Sequence, residues 1–140
     1  MKNRAYKNYI FDFYGTLVDI LTDEKDPVLW DTLGQLYQAY GAAYEGDALK
    51  KAYAKHVDQA RKELIELKGV VYPEIDLAYI FNQLYVDARP QSSNSNQPDD
   101  WGNLIAMVFR VLSRKHLTAY PHTKEVLAFL KEQGYRLYLL

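Results

Sequence analysis

Two short runs of this chain have the make-up of sheet strands, Tyr9-Ile10-Phe11-Asp12-Phe13 near its start and Tyr135-Arg136-Leu137-Tyr138-Leu139-Leu140 at its end, and most of the sequence between them reads as helix. The first run predicts a buried strand that carries a carboxylate at its C-terminal end and breaks at the turn Tyr14-Gly15-Thr16. Beyond it the apolar period changes to three and four. Asp26-Pro27 supplies a cap and a first-turn proline for a helix with Val28, Leu29, Leu33, Leu36, Tyr37 and Tyr40 on one face, ended near Gly41. A longer helix from Asp47 carries Leu49, Tyr53, Val57, Ala60, Leu64 and Leu67 and stops at Gly69. Asp76 caps a third helix (Leu77, Ile80, Phe81, Leu84, Tyr85), and Asp99 or Asp100 caps a fourth (Trp101, Leu104, Ile105, Val108, Phe109, Leu112). The stretch Pro90 to Pro98 has no apolar side chain and reads as a mobile surface loop. A fifth helix, Thr123 to Gln133, closes at Gly134.

Far too much helix separates the two strands for an ordinary crossover. The simplest fold is α/β, with Thr123 to Gln133 as the crossover helix of a partial parallel sheet and a helical bundle inserted after the first strand. The expected boundaries are 1–19 and 118–140 for the α/β core and 20–117 for the insertion. Because strands of a parallel sheet are buried on both faces and need neighbours, two of them make a poor sheet. The apolar end Leu137 to Leu140 is an unprotected edge. A shortened or split form that self-associates through exposed core surface is therefore expected.

Bulk composition narrows the functions. A formal net charge of −1 argues against a nucleic-acid binder, and the absence of cysteine removes any disulfide, thiolate metal site or cysteine nucleophile. No apolar run is long enough for a signal peptide or membrane span, so a soluble, cytoplasmic protein without membrane partners is expected. Thirteen tyrosines against five phenylalanines invite a reading as stacking platforms for bases or sugars. Their helical spacing with Leu and Ile favours rings that line a core edge with the hydroxyl in water.

In an open parallel sheet ligands bind beyond the carboxyl ends of the strands, which is where Asp12 projects. The turn after it offers backbone N–H groups for anionic oxygens, Gly15 permits close approach of a ligand, and Thr16 adds a hydroxyl. Taken alone, an Asp before a Gly-Thr turn is equally the make-up of a plain turn. His56, His116 and His122 show no ligand spacing and read as solvated or capping residues. Asp19 reads as a turn or cap residue, Asp23-Glu24-Lys25 as a solvated hinge, and Trp30 and Trp101 as helix-packing core.

The full run Ile10-Phe11-Asp12-Phe13-Tyr14-Gly15-Thr16-Leu17-Val18-Asp19 resembles the first motif of the haloacid dehalogenase superfamily, an apolar strand followed by Asp-x-(Asp or Tyr)-Gly-Thr-Leu. Tyr120-Pro121, the helix from Thr123 and the final strand are similar to the approach to that superfamily's second motif. The inserted helices stand where the family carries a helical cap. The resemblance implies a partial Rossmann-like core with a cap at 20–117. It also implies a hydrolase acting on a small molecule, with Asp12, Tyr14 and Thr16 as catalytic-site residues and Asp12 as the nucleophile that forms an aspartyl intermediate. In phosphotransfer members the residue two places on is an aspartate that moves the proton and lends its backbone carbonyl to Mg²⁺. Here it is Tyr14, a poor proton shuttle near neutral pH whose carbonyl, with Asp12, still suits a metal. Tyrosine there resembles the metal-free 2-haloacid dehalogenases, but those use an early cap arginine, and no arginine lies between Arg4 and Arg61. The family's second-motif Ser or Thr, later Lys or Arg and acidic pair have no counterpart here, so little activity is expected of the chain alone. A phosphatase of a small phosphorylated substrate using Mg²⁺ leads. A haloacid dehalogenase and a non-catalytic helical association module are the alternatives.

Overall fold

The structure, a computed structural model, describes residues 6–89 and 98–140. The expected loop at Pro90 to Pro98 falls, except for Pro98, outside the described residues. The elements run β1 (Asn8–Phe11), β2 (Val18–Thr22), α1 (Pro27–Ala39), α2 (Gly46–Lys68), α3 (Leu77–Ala88), α4 (Trp101–Ser113), β3 (Arg114–Ala119), α5 (Thr123–Glu132) and β4 (Arg136–Leu139). The chain divides into two compact units, Met1–Asp23 with Arg114–Leu140, and Glu24–Ser113.

In the first unit β1 and β4 pair in parallel, with Tyr9 opposite Leu137 and Phe11 opposite Leu139. Arg136 N–H to the Lys7 carbonyl (2.9 Å) and Leu140 N–H to the Phe11 carbonyl (2.8 Å) extend the ladder at both ends. The crossover helix α5 packs on β4, and the Tyr9 ring meets the Tyr135 ring edge-on at 5.1 Å. The expectation of a buried first strand is corrected. Side chains alternate across a strand, so Tyr9, Phe11 and Leu137 share one face and Ile10 and Tyr138 the other. The first three are half-buried, whereas Ile10 is 68% and Tyr138 49% exposed. Among the described residues this sheet has two strands, and the face that carries Ile10 and Tyr138 is exposed to solvent.

The second correction concerns the ends of the expected helical stretch 20–117. Residues 18–22 and 114–119 form an antiparallel ribbon, β2 with β3, in which Ile20 lies opposite Leu117 and Leu21 opposite His116. His116 is thus a strand residue, and Asp19, read from sequence as a turn or cap residue, sits in β2 with its carboxylate 3.6 Å from His116 Nε2. The helical unit accordingly begins at Glu24 and ends at Ser113.

That unit is built on aromatic rings. Leu29, Trp30, Leu33, Tyr37, Leu49, Ile80, Phe81, Leu84, Tyr85, Trp101, Ile105 and Phe109 form its buried core. Asp26 and Asp76 cap α1 and α3 through bonds to Val28 N–H (2.9 Å) and Ala78 N–H (2.9 Å), as their positions before the apolar periods require. The tyrosines depart from expectation, because Tyr37 and Tyr85 are buried to the hydroxyl. Their O–H groups donate to the carbonyls of Phe81 (2.8 Å) and Tyr40 (2.6 Å), which removes most of the desolvation cost. Burial also raises the Tyr37 phenol and pushes Tyr53 up to about 12, with Glu24 adding to the Tyr53 rise and Arg61 opposing it. The charged run Asp23-Glu24-Lys25 is more than a solvated hinge, since the Glu24 carbonyl accepts the Trp30 indole N–H (2.7 Å) and the Lys25 carbonyl accepts Lys50 Nζ (3.0 Å). On α2, Leu49 is buried but Leu67 is exposed, because the C-terminal half of this long helix outruns its partners.

Helices α3 and α4 cross closely at Gly102, where an added Cβ would lie 2.2 Å from the Ala78 carbonyl oxygen, a backbone atom that cannot swing aside. Gly102→Ala is therefore expected to destabilise the helical unit by about 1–3 kcal/mol, read as a lower urea midpoint in far-UV circular dichroism. A second expectation concerns alkaline pH. The unfolded Tyr53 phenol ionises near its ordinary value of 10.0, while the folded one holds its proton to about 12. Stability is thus full below pH 10 and falls as pH rises through 12, and Tyr53→Phe should flatten that decline in urea titrations at successive pH values.

Candidate active site

The first unit carries the candidate residues Asp12, Tyr14 and Thr16. Because α5 joins β4 through a tight turn at Gly134 and packs back along it, the start of α5 lies at the same sheet end as the C-termini of β1 and β4. Asp12 is the first residue beyond β1 at that end. It is exposed, and among the described residues no ion pair takes its carboxylate. Among the described residues its side-chain bond comes from Thr16, whose hydroxyl donates to Oδ2 at 3.3 Å.

The turn that brings Thr16 back to Asp12 is closed by its own backbone. The Phe13 carbonyl accepts N–H bonds from Leu17 (2.9 Å) and Val18 (3.1 Å), and Gly15 N–H donates to the Val18 carbonyl (2.8 Å). Gly15 sits at φ +76, a left-handed conformation that costs a residue with a Cβ roughly 1–2 kcal/mol. Tyr14 is half-exposed beside it, its ring edge-on to Phe13 at 5.0 Å. The turn's bonds run to the Phe13 and Val18 carbonyls, leaving the Tyr14 carbonyl out of its ladder. Asp12, Tyr14 and Thr16 therefore stand on one short, internally bonded segment at the mouth of the sheet.

Sequence reasoning missed two further participants. The Leu17 carbonyl accepts bonds from the Thr123 hydroxyl (3.0 Å) and the Tyr120 N–H (3.2 Å), which tie the turn to the start of α5. These partners lie 106 and 103 positions along the chain, so no local pattern announces them. Between them His122 adopts φ +66, a left-handed conformation unusual for a non-glycine residue, and pairs with Glu125. His56 pairs with Asp87 at 2.9 Å within the helical unit. Each histidine thus has a carboxylate neighbour, and among the described residues no three His, Cys, Asp or Glu side chains gather into one cluster that could hold a metal ion.

A family model of hydrolases, the haloacid dehalogenase-like hydrolases, matches residues 6–140. The chain belongs to this family. A search of curated proteins gives no match. Among the described residues, no helix is long and apolar enough to cross a membrane.

Because the Asp12 carboxylate is exposed and, among the described residues, takes a single hydrogen bond of 3.3 Å, its removal should cost the fold little. Asp12→Asn is expected to shift the unfolding free energy by less than about 0.5 kcal/mol in urea titration. A larger loss would mean that the carboxylate serves structure.

Proposed function

We propose that this chain is a hydrolase of a small phosphorylated substrate in which Asp12 is the nucleophile and the helical unit, Glu24–Ser113, serves as the family's cap. The observation that carries the reading is an exposed carboxylate, just past the C-terminal end of a parallel strand, held on one oxygen by Thr16. With Oδ2 engaged by the Thr16 hydroxyl, Oδ1 is left to attack phosphorus, forming an aspartyl phosphate and expelling the alcohol. Water then attacks that phosphorus and restores the carboxylate, so one difficult displacement becomes two easier ones.

Two hard oxygens, the Asp12 carboxylate and the Tyr14 carbonyl, suit Mg²⁺, whose other positions phosphate and water ordinarily fill. When bound there, Mg²⁺ would supply charge to offset that on the phosphoryl oxygens. The departing alcohol needs a proton, and the Tyr14 hydroxyl is a weaker acid than the carboxyl group that an aspartate would present at this position. That same residue supports a second reading, a dehalogenase in which Asp12 displaces halide from carbon. Halide leaves without a proton. The gap in arginines between Arg4 and Arg61 weighs against this second reading.

The two are separated by assaying the 140-residue chain for Mg²⁺-dependent release of p-nitrophenol from p-nitrophenyl phosphate and for metal-free release of chloride from 2-chloropropionate. Phosphatase turnover is expected, weak in the wild type, absent in Asp12→Asn, and raised about 10²-fold in Tyr14→Asp, whose carboxylate would take a proton from the water that hydrolyses the aspartyl phosphate. Halide release that depends on Asp12 would transfer the assignment to the dehalogenase. Equal behaviour of wild type and Asp12→Asn in both assays would remove Asp12 from the chemistry and leave the non-catalytic module.

A further inference from the structure

The bond between Thr123 and Leu17 has no counterpart in the motif around Asp12, and it joins the two sequence segments that make up the first unit. We infer that Thr123 is a positioning residue for the Asp12 site, holding the Leu17 carbonyl so that the turn keeps the Thr16 hydroxyl within reach of the Asp12 carboxylate. The inference rests on the reading of Asp12 as nucleophile.

Four observations carry it. The turn's internal bonds all close within residues 13 to 18 and fix its shape, while its attachment comes from β1 before it, from the pairing of Val18 with Ala119 after it, and from the bonds to the Leu17 carbonyl. The Leu17 carbonyl points out of that closed set and takes two donors from one place, the Thr123 hydroxyl at 3.0 Å and the Tyr120 N–H at 3.2 Å. Thr123 is itself fixed, because its N–H donates to the Tyr120 carbonyl (3.2 Å) and it opens α5, which packs on β4. The bond is half-buried, whereas the Thr16 to Asp12 bond is exposed, so water competes for the first less than for the second. A side chain anchored on the crossover helix thus sets where the turn sits, and the turn sets where Thr16 points. Without the Thr123 hydroxyl the Leu17 carbonyl keeps the Tyr120 N–H, which continues the β2–β3 ladder, but loses the donor that the α5 side chain supplies.

The hydroxyl is the group that matters, so Thr123→Val removes the bond at nearly constant shape and Thr123→Ser keeps it. Amide hydrogen exchange of Leu17 and Val18, measured by NMR in the 140-residue chain, reads the turn directly, with Ile20 in the β2–β3 ribbon as internal reference. Loss of one hydrogen bond is expected to speed exchange at Leu17 and Val18 about threefold to tenfold in Thr123→Val, with Ile20 unchanged, and Thr123→Ser is expected to restore wild-type exchange. On p-nitrophenyl phosphate the valine variant should lower kcat by a similar factor at unchanged KM, and the serine variant should recover it. Wild-type exchange in Thr123→Val, or a serine variant that behaves like valine, overturns the inference. Uniform loss of protection that includes Ile20 overturns it too, since Thr123 would then support the whole unit and not the turn. If turnover is indifferent to Asp12→Asn while the exchange pattern follows Thr123 as described, the nucleophile reading fails and the anchoring of the turn stands.

Discussion

Parallel pairing of β1 with β4 is the constraint from which the rest of the first unit follows. Parallel neighbours cannot be joined by a hairpin, so the chain must return over the sheet, and it does so through α5. That return brings three things to one end: the C-terminus of β1, the C-terminus of β4 and the first turn of α5. Asp12 stands there because it follows β1 immediately, and Thr123 stands there because it begins the returning helix. Neither placement depends on attraction between the two residues.

Asp12, Gly15 and Thr16 were legible in the sequence because the geometry they need is local. An aspartate after an apolar run, a glycine for a left-handed turn and a hydroxyl four residues on from the carboxylate are all settled within a few bonds. The helices were legible for the same reason, down to the caps at Asp26 and Asp76. What escaped was non-local. The short segment Val18-Asp19-Ile20-Leu21 pairs as a strand only because Leu117 and His116 stand opposite, and nothing near residue 20 forecasts a partner near residue 117. The Thr123 and Tyr120 bonds to Leu17 were hidden in the same way. Exposure of Ile10 and Tyr138 also could not be read, since the apolar sequence of a strand shows what it can bury and not whether anything covers it.

The helical unit illustrates a different limit of composition. Tyrosine at helical spacing is compatible with a core edge or a core centre, and the choice falls on whether a carbonyl is available to the hydroxyl. Tyr37 finds Phe81 on another helix, and Tyr85 finds the carbonyl of Tyr40, where the chain leaves α1. These rings act as cross-braces, each filling volume as phenylalanine would while specifying a single neighbouring backbone atom. Gly102 complements them by letting α4 approach α3 closely enough for Trp101 to meet Tyr37 and Tyr85.

The interleaving of the two units has a temporal consequence. Residues 24–113 are continuous, so a ribosome delivers every part of the helical unit in one stretch, and its aromatic interior can assemble as soon as Ser113 is clear of the exit tunnel. The other unit is made of two pieces that bracket it. Until β4 has been translated, β1 has no parallel partner, and the strand that presents Asp12 must wait with its apolar side chains unpaired. The sheet end that carries Asp12 thus acquires its framework only after the whole helical unit has been made, although Asp12 itself is made before it.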